Sequence, residues 1–189
     1  SLESILNLGN QAMTGIFPEK NNSKISSGDL KLVRCLNCSL VQLQHSFDPN
    51  EMYGQNYGYR SSLNSSMVNH LLSKSVKLKQ RYNLKKNDII LDIGSNDGTF
   101  LSFFNKNFNR IGIDPTISKF KKYYDDKTIL LVDDFFNSEN YYKKIKKKAK
   151  LITSLAMFYD LDDPNDFVSN ICEVLENEGI CDFEQSYMP

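Results

Sequence analysis

The sequence predicts an α/β fold built on a mostly parallel, doubly wound sheet. Three observations carry that prediction. Asp88-Ile89-Ile90-Leu91-Asp92-Ile93 is an apolar run too short for a helix and rich in Ile, which reads as a buried strand. It ends in Gly94-Ser95-Asn96-Asp97-Gly98, a sharp turn, and Phe100, Leu101, Phe103 and Phe104 follow at helical spacing. The same alternation recurs down the chain, giving five strand–helix units in sequence. In such folds ligands bind beyond the carboxyl ends of the strands.

A chain of 189 residues allows one ordinary domain, or one domain plus a small appendage. Lys plus Arg equals Asp plus Glu, so no net field favours nucleic acid or an anionic membrane. No apolar run approaches the roughly 20 residues of a membrane span, and no basic-then-apolar leader is present. The expectation is a cytoplasmic protein with no nucleic-acid and no membrane partner. The chain starts at Ser1 and stops at Pro189, and clipping at both ends is expected.

Residues 1–50 are expected to form a partial zinc-binding domain, a small zinc-ribbon-like β segment. Leu30-Lys31-Leu32-Val33-Arg34 and Leu40-Val41-Gln42-Leu43 flank Cys35-Leu36-Asn37-Cys38. Two strands around C-x2-C read as a hairpin with both thiols on one turn. Tetrahedral zinc wants four ligands, so Cys35 and Cys38 are half a site. A buried or redox pair is the alternative. Cys172 and Cys181 fall in core-like patterns, and His45 is the nearby imidazole. No disulfides are expected.

Residues 51–83 read as a Tyr/Gly-rich linker and a helix. Tyr57 and Tyr59 lie in Tyr53-Gly54-Gln55-Asn56-Tyr57-Gly58-Tyr59-Arg60 and are substrate-binding candidates, or else rings covering a domain joint. Ser65 to Tyr82 carries Met67, Val68, Leu71, Leu72, Val76 and Leu78, an amphipathic helix. His70 on it reads as surface or packing.

Residues 84–189 hold the sheet. The nicotinamide fingerprint needs G-x-G-x-x-G, whereas this turn has only Gly94 and Gly98, with Asn96 between them. Asn tolerates a left-handed backbone, so the turn survives. Asp92-x-Gly94-x-Asn96-x-Gly98 resembles the acidic-x-Gly-x-Gly-x-Gly turn of class I S-adenosylmethionine-dependent methyltransferases. The second strand, Arg110-Ile111-Gly112-Ile113, ends in Asp114, whose two oxygens can each accept one ribose hydroxyl. Pro115 then bends the chain into a helix of Ile117, Phe120, Tyr123 and Tyr124. Thr128 to Val132 is the third strand, and it ends in Asp133-Asp134-Phe135-Phe136. Asp134 and Phe135 suit an adenine amino group and ring face, or else are a helix start. Six lysines between Tyr141 and Lys150 read as the solvated face of a helix before the fourth strand, Leu151 to Ser154. Met157, just beyond that strand, is expected under the methyl donor, with Tyr159 on the acceptor side. Asn165 to Leu175 is a helix, and Ile180 to Glu184 the fifth strand. The donor candidates are thus Asp92, Gly94, Ser95, Asn96, Gly98, Asp114, Pro115, Asp134, Phe135 and Met157.

Several stretches together resemble the sugar C-methyltransferase family. They are Leu6-Asn7-Leu8-Gly9-Asn10-Gln11, the run from Cys35 to Leu43, Tyr57-Gly58-Tyr59-Arg60-Ser61, the run from Leu91 to Thr99, Met157-Phe158-Tyr159-Asp160-Leu161, and the run from Phe183 to Pro189. The resemblance implies a small N-terminal zinc-binding domain and a class I methyltransferase Rossmann-like domain that binds S-adenosylmethionine. It also implies methylation of carbon on a nucleotide-linked keto-deoxysugar. The family's first C-x2-C would precede Leu6. Its Tyr, Glu and His catalytic cluster would begin past Pro189, so no catalytic residue is assigned here. The sheet is expected to be truncated after the fifth strand, and this chain alone to be inactive. A methyltransferase of another small-molecule or protein acceptor, and a non-catalytic donor-binding fragment or partner subunit, are the alternatives.

Overall fold

The computed structural model describes residues 1–12, 25–53 and 57–186. The expected linker residues Gly54, Gln55 and Asn56 and the terminal Tyr187, Met188 and Pro189 lie outside them. The chain divides into two compact units, Ser1–Tyr59 and Arg60–Pro189.

The first unit is an antiparallel sheet in the order β1 (Leu2–Ala12), β2 (Ser27–Cys35), β3 (Val41–Leu43), followed by one helical turn, α1 (Pro49–Met52). The hairpin around the cysteines forms as the sequence predicts, with Leu32 opposite Leu43 and Arg34 opposite Val41. β1 has no counterpart in the sequence reading. Its register on β2 slips twice, between Ser4 and Leu6 and between Asn7 and Asn10, and Gly9 turns to φ +68°. Slips of this kind erase the period-two pattern by which strands are recognised. Val33 is the one buried apolar side chain among the described residues of this unit.

The second unit begins with a 3-10 turn at Ser61–Leu63 and α2 (Ser65–Tyr82). Asn64 caps α2 by accepting the Ser66 amide, and Asn83 ends it in a left-handed conformation, φ +45°. Then come β4 (Ile89–Ile93), α3 (Thr99–Ser102), β5 (Asn109–Ile113), α4 (Ile117–Phe120), β6 (Leu130–Val132), α5 (Ser138–Lys144), β7 (Ala149–Leu155), α6 (Pro164–Val174) and β8 (Leu175–Glu184). The strands run parallel in the order β6-β5-β4-β7-β8. The first strand in sequence is therefore central, and the order reverses beside it.

Alternate residues of each strand feed opposite faces. Leu91, Ile93, Ile111, Ile113 and Ile152 pack with Tyr141 of α5 and Phe167, Ile171 and Val174 of α6. Ile90 and Leu151 pack with Leu71 and Leu78 of α2 and Phe100 and Leu101 of α3. The register aligns the strand ends: Ile93 lies opposite Ile113 and Ser154, and Ile113 opposite Val132. Gly94, Asp114, Asp133 and Leu155 thus meet along one edge.

Three expected helices are shorter than their patterns. α3 closes after one turn, and α4 passes into a 3-10 turn at Lys121–Tyr123. The lysine run is not one helical face. Lys143 and Lys144 end α5, Lys146 to Lys148 lie in the following turn, and Lys150 is already in β7. The cause is Tyr141, fully buried, whose hydroxyl donates to the Lys147 carbonyl and draws the chain round. β8 starts at Leu175, directly on the end of α6, rather than after Gly179.

Candidate functional site

The turn after β4 is held in an unusual backbone. Gly94, Asn96 and Gly98 all lie at positive φ, +74°, +51° and +78°. Gly94 donates its amide to the Ile113 carbonyl, extending the β4–β5 ladder past the strand end. A Cβ on Gly94 would stand 3.4 Å from the Met157 side chain, so the turn and the loop after β7 approach closely here. At Gly98 the reason is different. A Cβ there would fall 2.4 Å from the Tyr124 ring. Glycine at 98 makes room for the Tyr124 ring. The Tyr124 hydroxyl donates to the Asn96 carbonyl and shares a hydrogen bond with the Ser95 hydroxyl. Burial drives its ionisation far above the ordinary tyrosine range.

Two buried carboxyls sit beneath this turn. Asp92, 3% exposed, accepts the Thr153 hydroxyl at 2.7 Å. Burial, and to a lesser degree the Asp114 charge, pushes its pKa up to about 7 against the pull of that hydroxyl. Asp114, 6% exposed, accepts the Asn96 amide on Oδ2, and the Thr116 amide and hydroxyl on Oδ1. Burial raises its pKa too, those three donors pull it back, and Asp133 raises it further. Three of the roughly four acceptor positions of a carboxylate are occupied, which leaves one, on Oδ2.

The structure gathers some of the expected residues and leaves others apart. Asp92, Gly94, Ser95, Asn96, Gly98, Asp114 and Met157 form one cluster by the contacts above. Pro115 is half-buried in the bend after Asp114. Asp134 and Phe135 are exposed, and the Asp134 carboxylate accepts the Phe135 amide. Of that pair of aspartates, Asp133 is the one whose charge raises the pKa of Asp114. Tyr159 is 55% exposed, within the 3-10 turn Phe158–Asp160 that follows Met157. Tyr57 is half-buried against Tyr53, ring edge to face at 5.4 Å, and Tyr59 is 43% exposed; both belong to the first unit.

Sequence reasoning missed Asp97. It is 2% exposed, its Oδ1 accepts the Thr99 amide and hydroxyl, and its Oδ2 accepts the Ser62 amide. A signal was available. Asp97-Gly98-Thr99, Asp114-Pro115-Thr116 and Asp126-Lys127-Thr128 are all D-x-T. All three fold the same way, the carboxylate accepting both amide and hydroxyl of the threonine two residues on. Short aspartate side chains make such turns readily. At the third, Arg110, itself buried, adds a guanidinium contact to Asp126 at 2.8 Å. Glu184, at the carboxyl end of β8, was missed as well. His70 Nε2 lies 2.8 Å from it and Lys74 Nζ 3.3 Å, and Lys74 also pairs with Asp182 at 2.6 Å. His70 is exposed, as expected of a surface residue, and forms one side of a bridge from α2 to β8.

In the first unit Cys35 closes β2, and the Ser39 amide returns to the Cys35 carbonyl at 2.8 Å. The amides of Cys38 and Asn37 point at the Cys35 sulfur and hold its pKa below the ordinary thiol range. Such a turn suits a thiolate that ligates metal. Among the described residues, no cluster of three or more His, Cys, Asp or Glu is close enough to complete a site, and all four cysteines are free thiols. Two thiolates alone do not fit four-coordinate structural zinc.

Among the described residues no helix is long and apolar enough to cross a membrane. Comparison with known proteins agrees with this architecture. A family model described as "Putative zinc binding domain" matches residues 1–53, and one described as "Methyltransferase domain" matches residues 66–186. C-methyltransferase NovU of Streptomyces niveus is 24% identical over 162 residues, 84% of this chain and 38% of NovU. The chain therefore spans well under half the length of that relative. Among solved structures, the plantazolicin methyltransferase BpumL, crystallised with a triazolic desmethylPZN analog and SAH, superposes with a TM-score of 0.50 at 16% identity. That match covers 66% of this chain and 49% of BpumL. Precorrin-6y C5,15-methyltransferase from Geobacter metallireducens GS-15 gives 0.46 at 13% identity, over 67% of this chain and 65% of that one. With a parallel sheet ordered β6-β5-β4-β7-β8, a glycine turn on its central strand, and a family match across most of its length, the chain belongs to the methyltransferase-domain family.

Proposed function

We propose that this chain is the S-adenosylmethionine-binding part of an enzyme that methylates carbon on a nucleotide-linked keto-deoxysugar. One observation carries the donor: two buried carboxyls, Asp92 and Asp114, lie beneath a left-handed turn at the reversal point of the sheet. Asp92 accepts the Thr153 hydroxyl, and burial beside the Asp114 charge raises its pKa, so a cation placed against it would be stabilising. A ligand carrying an ammonium and a sulfonium supplies that charge. S-adenosylmethionine, when bound, provides an electrophilic methyl group. Asp114 would accept one ribose hydroxyl through Oδ2, and Met157, against Gly94, would border the methyl end.

The acceptor class rests on the similarity to NovU and on the family resemblance of the Tyr57–Ser61 and Met157–Leu161 stretches. A keto group makes the neighbouring C–H acidic. A base removes that proton, and the enolate carbon attacks the methyl in line. Holding donor and acceptor in near-attack geometry supplies roughly 7–11 kcal/mol of the barrier. Tyr57, Tyr59 and Tyr159 are substrate-binding candidates. No base is assigned among the residues of this chain. The zinc reading of Cys35 and Cys38 likewise requires two further ligands.

Two assays test the reading. Calorimetric titration with S-adenosylmethionine should give one site per chain, and no binding would end the donor assignment. Mass spectrometry of nucleotide-linked keto-deoxysugars incubated with donor should show no methylation by the 189-residue chain and methylation by the full-length parent protein. Turnover by this chain would instead point to Tyr57 or Tyr59 as base. Failure of the parent protein on every sugar would remove the acceptor class.

A further inference from the structure

The segment before α2 is tied to the donor turn by the turn's own side chains. Asn96 Oδ1 accepts the Ser61 amide at 3.0 Å, and Asp97 Oδ2 accepts the Ser62 amide at 3.0 Å. The Arg60 guanidinium lies 3.7 Å over the Tyr123 ring, next to the Tyr124 that binds the Asn96 carbonyl. The strap Arg60–Leu63 is therefore fastened at three places to the surroundings of one turn.

Asn96 is the junction. Its amide donates to Asp114, its carbonyl accepts from Tyr124, and its side chain holds Ser61. Each of these partners lies on a different segment. A ligand hydroxyl arriving at Asp114 shares the same Oδ2 as the Asn96 amide, so it acts directly on the residue that fastens the strap.

We propose that Asn96 and Asp97 are positioning residues that couple donor binding to the strap Arg60–Leu63, so that donor fixes the strap and the strap tightens donor binding. The inference rests on the donor assignment above, and reciprocity follows from linkage: whatever the donor does to the strap, the strap does to donor affinity. A purely structural pair of caps would stabilise the domain without changing affinity.

Ser61→Pro separates the two. Ser61 is the first residue of the 3-10 turn, and Arg60 before it is extended, at φ −134° and ψ +135°. Proline is favoured at that position and is compatible with an extended predecessor. It deletes the amide that Asn96 accepts while the turn is retained. Asp97→Ala removes the second fastening but also the Thr99 cap, so it serves as the harsher variant. The probe is S-adenosylhomocysteine, titrated calorimetrically against wild type, Ser61→Pro and Asp97→Ala. Amide hydrogen exchange at Ser62 is followed with and without the probe. The expected result is about three- to tenfold weaker binding by Ser61→Pro, with an unchanged thermal midpoint, and slower Ser62 exchange in wild type on adding probe. Equal affinity of wild type and Ser61→Pro, with Ser62 exchange indifferent to probe, overturns the coupling while leaving the donor assignment standing. No binding by wild type overturns both.

Discussion

Two tight turns follow strands in this protein, and they are built on opposite principles. The turn after β4 is gripped from outside itself: its backbone and side chains engage Asp114, Tyr124, Ile113 and the Ser61–Ser62 amides, all far away in sequence. The turn after β2 is gripped from within. Cys35 is met by amides of Asn37 and Cys38, and its carbonyl by Ser39. A parallel sheet collects residues from several strand ends by register, so one turn can become a finished pocket. A lone hairpin offers only what its own loop carries, and a four-ligand centre must recruit the rest.

If that contrast is right, the largest effect belongs to the buried acid. Asp92 is protonated more readily in the folded than in the unfolded chain. It therefore favours the fold most below about pH 4, and that contribution is lost as pH rises through about 7. Asp92→Asn should abolish this loss, roughly 4 kcal/mol between those limits at most. Urea midpoints of both proteins at pH 5 and pH 7.5 measure it. Parallel pH profiles would mean that the carboxyl is solvated and the pocket unfinished. Next comes Gly98→Ala, which drives a Cβ into the Tyr124 ring at positive φ and should cost about 2–4 kcal/mol by the same denaturation. A cost below about 0.5 kcal/mol would show that Tyr124 swings aside freely.

Asp114→Ala should weaken S-adenosylmethionine binding about tenfold, through loss of one charged hydrogen bond. Equal affinities by calorimetry would remove Asp114 from the donor site. The smallest effect is expected from the other turn. Cys35→Ser should leave donor affinity and urea midpoint unchanged, and wild type should hold little zinc after dialysis. One tightly held zinc per chain by metal analysis would break the comparison, because it would mean that the hairpin does recruit a complete ligand set.

What the sequence revealed follows the same divide. Ile89 to Gly98 and Ile111 to Asp114 were legible because strand, turn and acid are contiguous there. Pairings between distant residues were not. Nothing local says that Asp97 reaches Ser62, or that Tyr124 needs the space at Gly98. The D-x-T repeats were readable as turns but not as parts of a site. β1 escaped because two register slips scramble its alternation, and the lysine run was misjudged because one buried ring, Tyr141, ends the helix early. Nothing local says that Asp133, next to the expected Asp134, is the acid whose charge acts on Asp114.

Tyr124 also gives the molecule an optical use. The chain has ten tyrosines and no tryptophan, so its near-ultraviolet absorption and emission come from phenols. Tyr124 differs from the exposed rings: it is buried, and its hydroxyl is engaged by Ser95 and Asn96. In an alkaline titration the exposed phenols should redden first, while Tyr124 holds its proton until the domain opens. The late, abrupt absorbance step, which the buried Tyr141 shares, is then a built-in gauge of whether the domain is intact. That gauge needs no label, because the ring stands against the glycine the turn requires.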